Sequence, residues 1–177
     1  QMKVLTIKQD ELTKLYGNYI KAGLGNYGTV YLKGYFHNKR SKDASIGANV
    51  SHVSSSRGPV DRANSAVGQS DIGLHGERYL RGLTVGGDVK YGREKRYFYG
   101  YEPMEGVEVE RDTIKQVFNR IHAQGYFHNQ NSGAPFLYRT NARFRYINDQ
   151  YDMNESNFAV DFRSEYGIDD MSAFKVD

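Results

Sequence analysis

Apolar and polar positions alternate with a period of two through most of the chain from Tyr19 to Tyr166. Such alternation is the signature of strands with one apolar and one polar face. In Tyr19–Gly25 the apolar positions are Ile20, Ala22 and Leu24. In Thr29–His37 they are Val30, Leu32, Gly34 and Phe36, against Tyr31, Lys33, Tyr35 and His37. "SKDASIGANVSHV" sets Ala44, Ile46, Ala48 and Val50 against Ser45, Gly47, Asn49 and Ser51. "SDIGLHGERYL" and "LTVGGDVKY" continue it with Ile72, Leu74, Leu80, Leu83, Val85, Val89 and Tyr91. "QVFNRIHAQGYFH", "LYRTNARFRY" and "SNFAVDFRSEY" complete eight candidate strands, most longer than the roughly 5–6 residues common in globular sheets. Arg78 and Asn119 fall on the apolar side and break its pattern.

The connections sharpen the picture. The gaps at about 54–69 and 92–115 are long, and the one between them is only Arg81 and Gly82. In an up-and-down meander both long gaps fall on one side. Short turns on one rim and long loops on the other are the habit of outer-membrane barrels. The stretch 148–156, "NDQYDMNES", reads as a hairpin turn. Residues 1–17 read as a polar lead-in, helical around "QDELTKLYG", and 18–177 as a barrel segment of about eight strands that is incomplete.

Composition narrows what the apolar face can meet. Hydrophobic residues make up 38% of the 177 residues, below the roughly 45–50% of soluble domains. Tyr (15) and Gly (19) are abundant, whereas Trp and Cys are absent. Without Cys there is no disulfide framework, thiol catalysis or Cys-ligated zinc. The net charge of +3 comes from interspersed charges of both signs, not from a polyanion-binding patch. No stretch approaches the ~18 apolar residues of a membrane helix, but a barrel strand needs only about 9–11 alternating ones. "QMKVLTIK" is too short and too polar for a secretory leader.

The polar face carries Asp161, Arg163 and Glu165 in one row and Arg139, Arg143 and Arg145 in another, so it must be wet. The apolar face lacks an amphipathic helix to cover it. Its aromatics Phe36, Tyr91, Phe127, Tyr138, Tyr146 and Tyr166 gather near strand ends, as aromatic girdles at two membrane interfaces do. The expected fold is therefore all-β, an antiparallel up-and-down meander forming part of a transmembrane β-barrel. Lipid-facing candidates are Ile20, Leu24, Val30, Leu32, Phe36, Ile46, Val85, Val89, Phe144, Phe158, Val160 and Phe162. Lumen-facing candidates are Lys21, Lys33, Arg120, Arg139, Arg143, Arg145, Asp161 and Arg163. A soluble β-sandwich or lipocalin-like barrel shares the alternation and stays open as an alternative, binding carbohydrate or another ligand on its Tyr-rich face.

The phrases "YGNYIKAGLGNYGTVYLKGYFHNKRSKDASIGANVSHVSSS", "YFYGY" and "IKQVFNRIHAQGYF" resemble the opening barrel strands of large Bacteroidetes outer-membrane proteins of TonB-dependent-receptor-like or porin-like type. The resemblance covers roughly residues 15 to 165 and is one of strand texture, not of a catalytic signature. It implies a many-stranded barrel of which this chain forms the first part. It also implies an outer-membrane location, a role in transport or in an outer-membrane assembly, and contact with lipid and with other outer-membrane or periplasmic proteins.

No catalytic motif emerges, and no enzyme activity, cofactor, metal or nucleic-acid partner is expected. His122 and His128 share a face about 20 Å apart at roughly 3.3 Å per residue, too far for one metal. The acidic loop with Glu102, Glu105, Glu108, Glu110 and Asp112 has no calcium-loop spacing. "GLGNYG" lacks the helix a phosphate loop requires. Ser54–Ser56 with His52 has no orienting carboxylate. His37, His52 and His75 read as further wet polar-face side chains.

Overall fold

The computed structural model describes residues 16–38, 41–60, 62–102, 109–129, 134–169 and 172–176. Nine strands form one antiparallel sheet in strict chain order: β1 (Tyr19–Gly25), β2 (Thr29–His37), β3 (Ala44–Ser55), β4 (Val67–Leu80), β5 (Leu83–Tyr97), β6 (Lys115–Asn129), β7 (Phe136–Asp149), β8 (Asn154–Asp169) and β9 (Ser172–Val176). β1 and β9 do not pair with each other, so the sheet is open. Helical structure among the described residues is limited to two 3-10 turns, Asn26–Gly28 and Arg62–Ser65. The stretch around "QDELTKLYG", expected to be helical, lies outside the described residues, apart from Tyr16 and Gly17.

The strands form where β-branched and aromatic residues occupy every second position, which suits a pleated surface. They end where turn chemistry intervenes. β4 and β5 are joined by Arg81 and Gly82 alone, with Gly82 at φ 79. A side chain there pays about 1–2 kcal/mol for left-handed backbone. Gly82→Val is therefore expected to destabilise the refolded chain by that amount, read as a lower urea midpoint at unchanged slope, and an unchanged midpoint would contradict the turn geometry. The β7–β8 turn is held by the Asp149 carboxylate, which accepts from the backbone N–H of Tyr151 and of Met153, both at 2.9 Å.

The structure corrects the sequence reading at several ends. β5 does not stop at Tyr91 but continues to Tyr97, so the fifth connection is 98–114. β4 starts at Val67, which confines the third connection to 56–66. A ninth strand, β9, follows where none was expected. By strand direction, the ends that lead from β1 to β2, β3 to β4, β5 to β6 and β7 to β8 share one rim, and those that lead from β2 to β3, β4 to β5, β6 to β7 and β8 to β9 share the other. Both long connections thus lie on the same rim, called here the long-loop rim.

A single sheet has no second layer, and its burial is inverted accordingly. Among the described residues the buried hydrophobic side chains are Ala66, Tyr97 and Val117. The most buried side chain is polar, Thr84 at 1% exposure, whereas Leu74 is 59% and Phe158 69% exposed.

Candidate functional site

Register assigns every strand residue to one of two faces, since side chains alternate along each strand. All eight lumen-facing candidates share the polar face. Lys21 stands opposite Lys33, and Arg139 opposite Arg163. Arg120 bonds Glu94 at 2.7 Å, and Glu94 also bonds Arg96 on its own strand. Arg143 bonds Asp161 at 2.7 Å. All twelve lipid-facing candidates lie on the other face and are exposed.

The polar face is closely furnished. Tyr35 stacks with Tyr19, His37 and His75, and the His37 and His75 rings lie 5.7 Å apart. His75 reaches His37 across Gly47, where a Cβ atom would meet the imidazole at 2.2 Å. Tyr126 likewise lies over its cross-strand partner Gly86 and donates to Glu77 at 3.2 Å. Glycine thus lets a neighbouring aromatic ring lie flat on the sheet. Both nitrogens of His37 are engaged, with the Asn38 carbonyl and the Ser45 hydroxyl. No group of three metal-ligating side chains occurs among the described residues. His122 and His128 do share the polar face, and His122 lies 3.8 Å from Asp88. Of the acidic loop, Glu105 and Glu108 lie outside the described residues, while Asp112 binds Lys115 at 2.7 Å, and the ammonium holds the Asp112 carboxyl below its usual range.

The apolar face carries a band with a defined upper edge. From β3 to β8 one cross-strand row runs His52, Ser70, Arg93, Asn119, Asn148, Asn154, all polar, so His52 stands at this level of the apolar face and not with the polar-face histidines among which the sequence put it. The next row toward the short turns runs Val50, Ile72, Tyr91, Ile121, Tyr146, Ser156. Tyr91 and Tyr146 therefore sit at the edge of the band, not at a strand end as the sequence suggested. The Tyr91 hydroxyl donates to Asn119 at 2.9 Å. Asn119 is thus no flaw in an apolar stripe but the first polar level above it. On the opposite side Phe127, Phe136, Tyr138, Phe162 and Tyr166 mark the lower part of the band, and Arg78 stands two residues from the end of β4.

The band also crosses the hydrogen-bonded rows obliquely. On β1 its centre is Ala22, whose row continues through Leu32 and His52 to Asn154 on β8. On β8 its apolar members are Phe158, Val160, Phe162 and Tyr166, centred on Phe162, eight residues beyond Asn154. Eight residues in the seven strand steps from β1 to β8, taken in unequal increments, correspond at about 3.3 Å per residue and about 4.8 Å between strands to a slope of about 38°.

The polar row went unread in the sequence because the alternation loses its contrast there. His52, Ser54, Arg93 and Lys95 keep the parity of the apolar positions before them, and that parity is the available signal. No family model, curated protein or solved structure matches the chain.

Proposed function

We propose that this chain forms part of the wall of a β-barrel in a bacterial outer membrane. Its role is transport of porin or TonB-dependent-receptor type, or a structural part in an outer-membrane assembly. One observation carries this reading: an exposed apolar band crosses eight strands at an angle to their hydrogen-bonded rows. Strands tilted by about 35–45° must carry such an oblique band if it is to lie level in a bilayer. On β5 the band runs from Leu83 to Tyr91, nine residues, within the roughly 9–11 that a tilted strand needs to span. Lipid supplies the missing second layer, and the polar face lines a wet interior. The long connections 56–66 and 98–114 are then placed to meet other outer-membrane proteins, as exposed loops commonly do, and the short turns of the other rim to meet periplasmic ones.

The Tyr19–Tyr35–His37–His75 cluster favours a second reading, a soluble β-domain that binds a ligand such as carbohydrate on its aromatic polar face. Refolding from urea into plain buffer and, in parallel, into lipid vesicles separates the two. Far-UV circular dichroism and the heat-dependent gel shift of barrels are the readouts. Strand signal and gel shift only with lipid are expected. A cooperatively folded monomer in plain buffer would sink the membrane reading.

A further inference from the structure

The two faces differ in the sign of their charges as well as in polarity. Every Asp and Glu of β1–β8 with a described side chain lies on the polar face, from Asp71 on β4 to Glu165 on β8. The charged residues of the apolar face are all cations: Arg78, Arg93, Lys95 and Lys115. None lies in the middle of the band. Arg78 stands near its short-turn edge, and the other three lie at or above its long-loop edge. A face in plain water has no reason to exclude carboxylates so completely, and the polar face of the same sheet mixes both signs.

We propose that Arg93 and Lys95 form a seat for the phosphate of an anionic lipid, an inference that rests on the bilayer-spanning reading. They are two residues apart on one strand, so both point outward, about 7 Å apart. Arg93 has no carboxylate within ion-pair distance among the described residues. Lys95 Nζ lies 6.0 Å from the centre of the Tyr97 ring. Lys115 is held by Asp112 and contributes less. Arg93 belongs to the polar row with Ser70 and Asn119 as its cross-strand neighbours. Immediately below are Ile72, Tyr91 and Ile121. A phosphate held at the row therefore has its acyl chains against the band, a contact that free phosphate cannot make. Guanidinium and ammonium groups match phosphate oxygens in charge and donor geometry.

The test uses the refolded chain in phosphatidylcholine vesicles with trace spin-labelled phosphatidylglycerol, and spin-labelled phosphatidylcholine as reference. The fraction of each label immobilised at the protein gives their relative association. At low salt the wild-type chain is expected to prefer the anionic label by about five-fold or more, from roughly 1 kcal/mol per surface cation. R93Q/K95Q is expected to bring the ratio near parity while circular dichroism stays that of the wild type. Should the double variant fail to fold, salt on the wild type gives the same answer, because screening erases a preference made by exposed cations. Parity for an inserted wild-type chain would overturn the seat and leave the barrel reading standing. A preference that survives R93Q/K95Q would move the seat elsewhere and overturn the assignment. Displacement of the label by an equal concentration of inorganic phosphate would overturn the lipid as occupant. A chain that enters no vesicle would overturn both.

Discussion

Val89→Lys is expected to destabilise the lipid-refolded chain by about 2–4 kcal/mol, and Ala123→Lys, at its cross-strand partner, by a similar amount. Both lie in the row Ala48, Leu74, Val89, Ala123, Phe144, Phe158 on the exposed apolar face. In the proposed bilayer an ammonium there must leave water for hydrocarbon or drag water and headgroups inward. Asn119→Lys belongs in the same experiment as a control of depth. It lies two rows away at the polar edge, where the cost falls to about 0–1 kcal/mol. Urea titration in vesicles, followed by far-UV circular dichroism, measures all three. The informative quantity is the difference between the mid-band and edge variants. Equal small effects would mean that the apolar face meets water and that the bilayer reading is wrong.

A second large effect is expected from a single methyl group. Gly87 and Gly125 are cross-strand partners in the centre of the apolar band. A larger side chain at either place adds apolar surface to the same exposed face, so hydrophobicity alone treats them alike. Their backbones do not. A Cβ on Gly87 would sit 2.6 Å from the Gln124 carbonyl oxygen and 3.4 Å from the Gly125 Cα, whereas one on Gly125 meets nothing within 4 Å. The Gln124 carbonyl belongs to the paired backbone and cannot swing aside as a side chain can. Gly87→Ala must therefore push β5 and β6 apart at that point, with an overpacking cost of about 1–3 kcal/mol. Gly125→Ala is expected to stay within about 0.5 kcal/mol of wild type. Midpoints in lipid test the pair, and the two variants behaving alike would contradict the close approach of the backbones at Gly87.

Much of the sheet was legible because its signal has the simplest period. Ile20–Leu24, Val30–Phe36 and Leu83–Tyr91 keep apolar residues at every second place with few exceptions, and those strands stand where the alternation puts them, with the expected faces. β5 was cut short after Tyr91 because Arg93 and Lys95 carry the apolar parity but not the apolar character. A strand that leaves one solvent for another changes composition without changing conformation, and hydrophobic periodicity follows only composition. β9 was missed because "SAFKV" is too brief to establish a period. The two charge systems of the polar face, Glu94 with Arg96 and Arg120, and Asp161 with Arg143, depend on register. Strand parity placed Arg120, Arg143 and Asp161 on the polar face, whereas Glu94 and Arg96 fell in the gap expected after Tyr91. Only the pairing between strands brought them together.

Each strand pairs only with the strands before and after it in the chain, so the wall is a series of separable joints. Removing β4 and β5 together would leave the remaining strands pointing as before, with 98–114 still on its rim. Removing one strand would reverse every strand after it and send that connection to the opposite side. Descent with modification can lengthen or shorten such a chain by whole hairpins, and strand number in its relatives is then expected to change in steps of two.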